Sequence, residues 1–465
     1  MVIIMKIAGI IAEYNPFHNG HLYQIEQTRK ITNADYIIVV LSGDFVQRGV
    51  PAIIDKYTRT QMALENGADL VLELPVVYST GSAEFFAMGA VSLLDKLGCV
   101  DFLCFGSEWG QLKPLSRIAS LLLEEPEAYR THLQHYLKAG CSYPKARSLA
   151  LQDALSKEEP SGNALPMDFF STNAIPKSTP SDDVFSENAG DSILNSPNNI
   201  LGVEYIKALR KRRSPIRPFT IRRQGSSYHD LVLDNGQYTK DFKDSEGPLF
   251  FSSASAIRQQ IAEIENTAAY TDMASMEAHM PKSVFQLLAP QLGKTFPVNS
   301  HDFSSLLFYK LLLENEKGFS HYQDMTPALS DKIRKNLNQY ENYEQFCGLL
   351  KSKDLTYSRI SRCLLHILLE MTAEKLDEYI GQDFISYARI LGFCKTSAPL
   401  LTAIKANASI PLISKLADAR LSLDNTGLSM LEKGIQASHI YSSVVSSKFN
   451  GPFCNEYTRP VIIRL

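Results

Sequence analysis

Apolar runs at Ile7–Ala12, Tyr36–Leu41, Leu70–Leu74 and Val100–Phe105 recur at a spacing of about thirty residues, each of strand length. Helical periodicity fills the gaps. Leu22, Ile25 and Ile31 follow the first run. Arg59, Met62, Ala63 and Leu64 follow the second, and Phe86, Val91, Leu94 and Leu97 follow the third. This alternation predicts βαβ units on a parallel sheet, an α/β Rossmann-like domain over residues 1–280. From about Pro281 the periodicity is helical, at Phe303–Leu313, Leu329–Leu337, Tyr343–Leu350, Arg359–Glu370 and Ile404–Leu416, the last broken by Pro411. A second, mostly α-helical domain is therefore expected over 281–465. Between the two patterns, Leu151–Ser196 is rich in Ser, Asn, Asp, Glu and Pro and reads as a long inserted loop, 151–196.

A chain of 465 residues can hold such a pair of domains, and its 45% hydrophobic and 21% charged content is that of a globular protein. The net charge of −3 means that any nucleic-acid surface has to be a local patch. Seven cysteines, scattered and never in C-x-x-C, argue against disulfide frameworks and zinc ribbons and for a reducing cytoplasm. No apolar run reaches transmembrane length, and no signal peptide is expected.

In parallel sheets ligands gather at the carboxyl ends of the strands. The first run ends in Glu13-Tyr14-Asn15-Pro16-Phe17-His18-Asn19-Gly20-His21, with a helix expected to begin near Gly20. A helix N-terminus there offers free N–H groups and a positive dipole end to a phosphate. Gly20 lets a ligand approach the backbone, and His18 and His21 can each give a hydrogen bond or a charge to phosphate oxygens. After the second run comes the Gly-bounded loop Ser42–Gly49. Lys56 and Arg59 then share a helix face, open to phosphate or simply solvated. The fourth run ends in Gly106-Ser107-Glu108. Pro197-Asn198-Asn199 predicts a helix start with one Asn as N-cap.

Two further stretches are basic or anion-seeking. Between 207 and 223 stand Lys207, Arg210, Lys211, Arg212, Arg213, Arg217, Arg222 and Arg223 without an acid, a candidate phosphate-backbone footprint. In the helical half, Arg359 and Arg362 are expected on an exposed helix face, while His366 reads as a core residue. Finally, Ser252-Ser253-Ala254-Ser255-Ala256-Ile257-Arg258 can cap a helix with its serines and bring Arg258 to the same anion.

His18-Asn19-Gly20-His21 resembles the H-x-G-H signature of the nucleotidyltransferase superfamily, and Ser252–Arg258 resembles its second signature, with Ala254-Ser255 where many relatives have Ser-Thr. With Gln47-Arg48-Gly49, Phe105–Glu108, Pro197–Gly202, Tyr228-His229-Asp230 and Leu364–Leu368, the chain resembles the bacterial tRNA(Met) cytidine acetate ligase family over nearly its whole length. The resemblance implies that ATP and acetate form acetyl-adenylate and pyrophosphate. The acetyl group then passes to N4 of the wobble cytidine of elongator tRNA(Met), in the cytoplasm, with no role for DNA or a membrane. It implies His18, His21 and Arg258 as catalytic residues. It implies ATP contacts from Ile11, Ala12, Glu13, Tyr14, Asn15, Pro16, Phe17, His18, Asn19, Gly20, His21, Gly106, Asn198, Asn199, Arg222, Arg223, Ser252 and Ser253. Magnesium is expected on the phosphates rather than in a carboxylate cage. Lys56, Arg59, Arg210, Arg212, Arg359 and Arg362 are the expected tRNA contacts. The competing readings are a small-molecule adenylyltransferase and a non-catalytic tRNA-binding protein on the same fold.

Overall fold

The fold is described from a computed structural model, over residues 5–157, 196–223, 250–266 and 272–465. The apolar runs are strands: β1 Ile7–Ala12, β2 Tyr36–Ser42, β5 Leu70–Leu74 and β6 Phe102–Ser107. Between β2 and β5, β3 Phe45–Val46 and β4 Val50–Pro51 form a small antiparallel hairpin. The main sheet also takes in β7 Arg217–Arg222, β8 Ala388–Cys394, β9 Leu412–Ile413 and β10 Ile462–Arg464. Its order is β10-β8-β5-β2-β1-β6-β7, with β9 beside β8. Every pairing is parallel except β5 with β8.

The strands read as continuous apolar runs because both faces of the sheet are covered. Ile38, Val40, Leu70, Leu72 and Leu103 pack on one side, under the Ala83–Lys96 and Pro197–Lys211 helices and the helices after Ser304. Ile37, Val39, Leu41, Val71 and Cys104 pack on the other, under the Asn19–Thr32, Lys56–Glu65 and Ala254–Asn266 helices. The chain leaves β1 on one side for β2 and later returns to its other side as β6. The topological switch point, and hence the expected ligand crevice, lies at the carboxyl ends of β1 and β6.

The segment after Pro281 is mostly helical, as expected, but β8, β9 and β10 return from it to widen the sheet. Gly392 in β8 permits this, since a Cβ there would stand 2.7 Å from Thr60 of the Lys56–Glu65 helix. The insertion starts later than Leu151, because Tyr143–Lys157 is one helix. The remainder of 151–196 up to Asn195, and the Tyr228-His229-Asp230 motif, lie outside the described residues.

Candidate active site

The H-x-G-H stretch is itself a helix cap. His18 is the N-cap of the Asn19–Thr32 helix, and its Nδ1 accepts the Gly20 N–H at 3.0 Å. His21 Nδ1 in turn accepts the His18 N–H at 3.2 Å. The two imidazoles thus fill the reciprocal places usually held by Ser/Thr and Glu in a capping box. With both Nδ1 atoms accepting, the hydrogen-bond geometry assigns the proton of each neutral ring to Nε2. The rings stack at 3.7 Å, 25° from parallel. Gly20 is needed for a reason other than ligand approach: a Cβ there would stand 2.9 Å from His18 Cε1.

Both rings are neutral. Burial, then Arg223 and Arg258, hold His18 down to about 3, and burial, His18 and Arg223 hold His21 well below its ordinary value. Neutral imidazoles can still each donate one hydrogen bond, and the positive charge around them comes from the arginines.

The second signature is tied to the first. Asn19 Nδ2 donates to the Phe250 and Ala278 carbonyls at 3.0 and 2.9 Å, and Arg258 Nη1 donates to the Asn15 carbonyl at 2.6 Å. Ser253 Oγ accepts the Ala256 N–H at 3.0 Å at the start of the Ala254–Asn266 helix. Ser252 Oγ lies 2.8 Å from His279 Nδ1. Two helix N-termini and the Arg258 guanidinium thus meet at the end of β1.

The rest of that stretch is built into the walls. Ile11 and Ala12 close β1, and Phe17 is fully buried. Glu13 accepts the Gln47 N–H at 2.9 Å, and Asn15 Oδ1 accepts the Ile53 N–H at 2.8 Å. The Asn15-Pro16 peptide is cis, and Tyr14 packs edge-on to His21 at 4.8 Å.

Gly106, Asn198, Asn199, Arg222 and Arg223 assemble on the neighbouring strands. Parallel pairing sets Gly106 beside Ile221 and Ser107 beside Arg222, so both arginines emerge at the carboxyl end of β7. Glu108 organises the approach of the Pro197–Lys211 helix. Its carboxylate accepts from Asn198 Nδ2 at 2.7 Å and from the Asn199 N–H at 3.0 Å, while Asn199 Oδ1 accepts the Glu108 N–H at 3.1 Å. The helix N-cap is Ser196, so neither asparagine is the cap that local sequence predicts. Gly202 lets this helix sit against β6, where a Cβ would stand 2.5 Å from the Phe105 ring.

The profile of the HIGH Nucleotidyl Transferase family matches residues 5–452. A tRNA(Met) cytidine acetate ligase of Thermoanaerobacter sp. (strain X514) is 41% identical, over 94% of this chain and 95% of that one. The chain belongs to the tRNA(Met) cytidine acetate ligase family. The Acetivibrio thermocellus ligase is 37% identical, over 99% of this chain and all of its own length (100%). The crystal structure of Thermotoga maritima TmcAL bound with alpha-thio ATP superposes with a TM-score of 0.80, at 30% identity and covering 99% of this chain and 100% of that one.

Other sequence-based expectations fail against this frame. Lys56 and Arg59 are fully buried and cannot meet tRNA. Arg59 donates to the carbonyls of Ile54, Glu13, Ser42 and Gly43, clamping the loops at the sheet edge from inside. Lys56 pairs with Glu73 at 2.7 Å and Glu456 at 3.2 Å. Arg210 is turned onto the Leu112–Glu124 helix, donating to the Ser116 carbonyl at 2.9 Å and to Ser120. Arg212 is held between Asp95 at 2.9 Å and Asp383. Arg362 forks onto Asp324 at 2.8 and 3.2 Å, and Arg359 lies 3.8 Å from the same carboxylate. These arginines join segments of the fold to one another. His366 is a core residue as expected, with Nδ1 2.9 Å from the Gln323 carbonyl.

Sequence reasoning gave no role to Asn19 as the link between the signatures, and none to Glu108 or His279. Glu108 carried a weak signal, a carboxylate just past a strand end. Asn19 and His279 carried none, because their partners are more than 200 residues away or on a separate loop.

Proposed function

We propose that this protein activates acetate with ATP as acetyl-adenylate and transfers the acetyl group to N4 of the wobble cytidine of elongator tRNA(Met). The observation that carries the reading is the stacked pair of neutral histidines capping one helix, with Arg223 near both rings and Arg258 near His18, in a chain with the relatives named above. Acetate is ionised at neutral pH and needs no general base to attack the α-phosphorus. What the step needs is in-line placement and hydrogen bonds to the charge that grows on the phosphoryl oxygens. His18 and His21 supply fixed donors that are not spent on a counter-charge, and the arginines and helix N-termini balance the polyphosphate. The carboxylate oxygen–phosphorus bond forms as the bond to pyrophosphate breaks. The cytidine amine then attacks the acyl carbon, AMP leaves, and the amine proton passes to solvent or to the departing phosphate. A single-stranded anticodon loop presents that base unstacked.

Magnesium fits as a guest of the triphosphate. Among the described residues no group of three His, Cys, Asp or Glu side chains is placed to hold a metal ion; magnesium would keep its waters and bind through phosphate oxygens. When bound it neutralises phosphate charge; the orienting and donating are done by the chain's own residues. No helix among the described residues is long and apolar enough to cross a membrane.

The test is incubation with labelled acetate, ATP and total tRNA. Acetylated tRNA(Met), AMP and pyrophosphate are expected. ADP and orthophosphate, or AMP retained in a small-molecule product, would refute the reading.

A further inference from the structure

Arg210, Arg212, Arg359 and Arg362 all have internal partners, so basic side chains that face solvent are the stronger candidates for tRNA contact. The helices Glu127–Lys138 and Tyr143–Lys157 form a hairpin on the edge of the molecule. Residues 128–152 carry Arg130, His132, His135, Lys138, Lys145 and Arg147 and no Asp or Glu. The inward members of this set are used within the fold. His132 stands 3.3 Å from Asp153, and Arg147 reaches Glu204 of the Pro197–Lys211 helix at 3.4 Å. The others face out: Arg130, His135, Lys138 and Lys145 are exposed. None of Arg130, Lys138 and Lys145 is in an ion pair among the described residues.

A second basic segment meets the hairpin at its turn. Lys353 Nζ donates to the Gly140 carbonyl at 3.0 Å, which brings the segment with the exposed Lys351 and Lys353 to the turn between the exposed Lys138 and Lys145. Asp354 is the one acid in that segment. Tyr143 is 56% exposed and Tyr357 38%, giving flat rings among the cations. Cations with interleaved exposed aromatics suit a sugar–phosphate backbone with unstacked bases.

We infer that the junction of the 127–157 hairpin with the Lys351–Tyr357 segment is the surface that grips the tRNA backbone. The inference rests on the tRNA-acetylating reading above and names the surface that serves it. The junction is fixed to both walls of the active site. On one side, Arg147 ties the hairpin to the helix that carries Asn198 and Asn199. On the other, the basic segment runs into the Tyr357–Leu368 helix, where Ser361 Oγ donates to the Gly49 carbonyl at 2.8 Å. Gly49 makes that approach possible, since a Cβ there would stand 2.4 Å from the Arg362 nitrogen. Two residues before it, the Gln47 N–H holds Glu13. A tRNA held at the junction is therefore held at a constant position relative to the adenylate.

The test uses the full chain carrying Lys138→Glu, Lys145→Glu, Lys351→Glu and Lys353→Glu together. A control carries Lys211→Glu and Arg213→Glu, exposed members of the other basic run. The tRNA Kd is measured across a range of KCl concentrations. Acetate-driven pyrophosphate exchange into ATP, without tRNA, reports folding and the first step. The fourfold variant should lose about tenfold or more in affinity, with a flatter salt dependence and unchanged exchange, while the control stays within about twofold of the parent. Parent-like affinity in the fourfold variant, or an equal loss in the control, would overturn the inference. Absence of exchange in the parent would instead refute acetate activation, and the Kd comparison would still decide the surface.

Discussion

Two buried polar clusters lie near the carboxyl edge of the same sheet, and they treat charge in opposite ways. At the end of β1 the histidines are neutral and their electrostatic neighbours are the cations Arg223 and Arg258. Beyond the end of β2, Lys56, Asp44, Glu73, Arg389 and Glu456 form a closed ionic set, joined by Ser438 Oγ at 2.7 Å from Lys56 Nζ and by Tyr57. Burial and Arg389 work against a charged Lys56, but Glu456, Glu73 and Asp44 outweigh them and raise its pKa. Burial likewise opposes the Glu456 charge, yet Lys56 and Arg389 bring its pKa to about 2. Asp44 moves the other way, raised by burial, because Lys56 Nζ is 3.8 Å off and closer to the glutamates. The difference teaches where function lies. The ionic set pairs its charges with one another, leaving only Arg389 Nη1 without an aligned hydrogen bond, and joins the C-terminal strands and the Asn425–Phe449 helix to the sheet. The histidine pair uses its Nδ1 atoms in the helix cap and keeps its Nε2–H donors available, which is why the proposed chemistry is placed there.

The largest expected effect breaks the closed cluster. Lys56→Met leaves Glu73 and Glu456 buried with less compensation and should cost about 3–5 kcal/mol of folding stability. Denaturant unfolding measures it, and a loss below about 1 kcal/mol would mean that the carboxylates find other partners. Next comes the open cluster. His21→Ala should slow acetyl-adenylate formation at least ~100-fold, with ATP affinity much less changed, and His18→Ala should behave similarly. Rates like the parent's in single-turnover adenylation would remove the histidines from the chemistry.

A third change sharpens the distinction between structural and functional cations. Arg212→Gln removes the link between Asp95 and Asp383 and should cost about 1.5–3 kcal/mol in stability, while leaving tRNA affinity unaltered. A weakened tRNA complex in a fully folded variant would restore Arg212 to the interface.

A further comparison separates the clusters by pH. The folded chain keeps His18 neutral down to about 3, whereas the unfolded chain protonates it near 6.5. Unfolding below pH 6.5 therefore takes up protons, and each site histidine should lower stability by about 1.4 kcal/mol per pH unit as the pH falls. For Glu456 the depressed carboxylate loses its contribution only as the pH falls from its ordinary 4.5 towards about 2. Urea titrations between pH 7 and about pH 5 should show a slope that shrinks when both histidines become Gln. An equal slope in that variant would place the protons elsewhere.

The parallel core of the fold was legible because strands buried on both faces read as short continuous apolar runs, distinct from the period-3.6 pattern of the helices. Residues 7–12, 36–42 and 70–74 needed little more than that. β8 was not legible: Ala388–Cys394 follows a long helical stretch and pairs with Leu70–Leu74, more than 300 residues earlier. In the site, His18, His21 and Ser253 could be read as local helix-start chemistry. The cations were misread for a single reason: composition counts charges but does not say which way they face. Lys56 and Arg59 look like a solvated helix face until Glu73 from β5 and the carbonyls of Glu13, Ser42 and Gly43 close over them.

By itself, then, the sequence determined the elements whose reasons are local. Strand and helix periodicity, the reciprocal caps of His18 and His21, and the hydroxyl cap at Ser253 all depend on groups within a few residues of one another. Only the tertiary structure decided which distant groups meet. It joined Asn19 to Phe250 and Ala278, set Glu108 against Asn198 and Asn199, paired Arg212 with Asp383, and left Lys138 and Lys145 facing outward. The physical reason is that a charge or donor in a chain has no fixed partner until folding removes water from around it. What it then faces, a carboxylate, a carbonyl or open solvent, decides whether it holds the protein together or works for it.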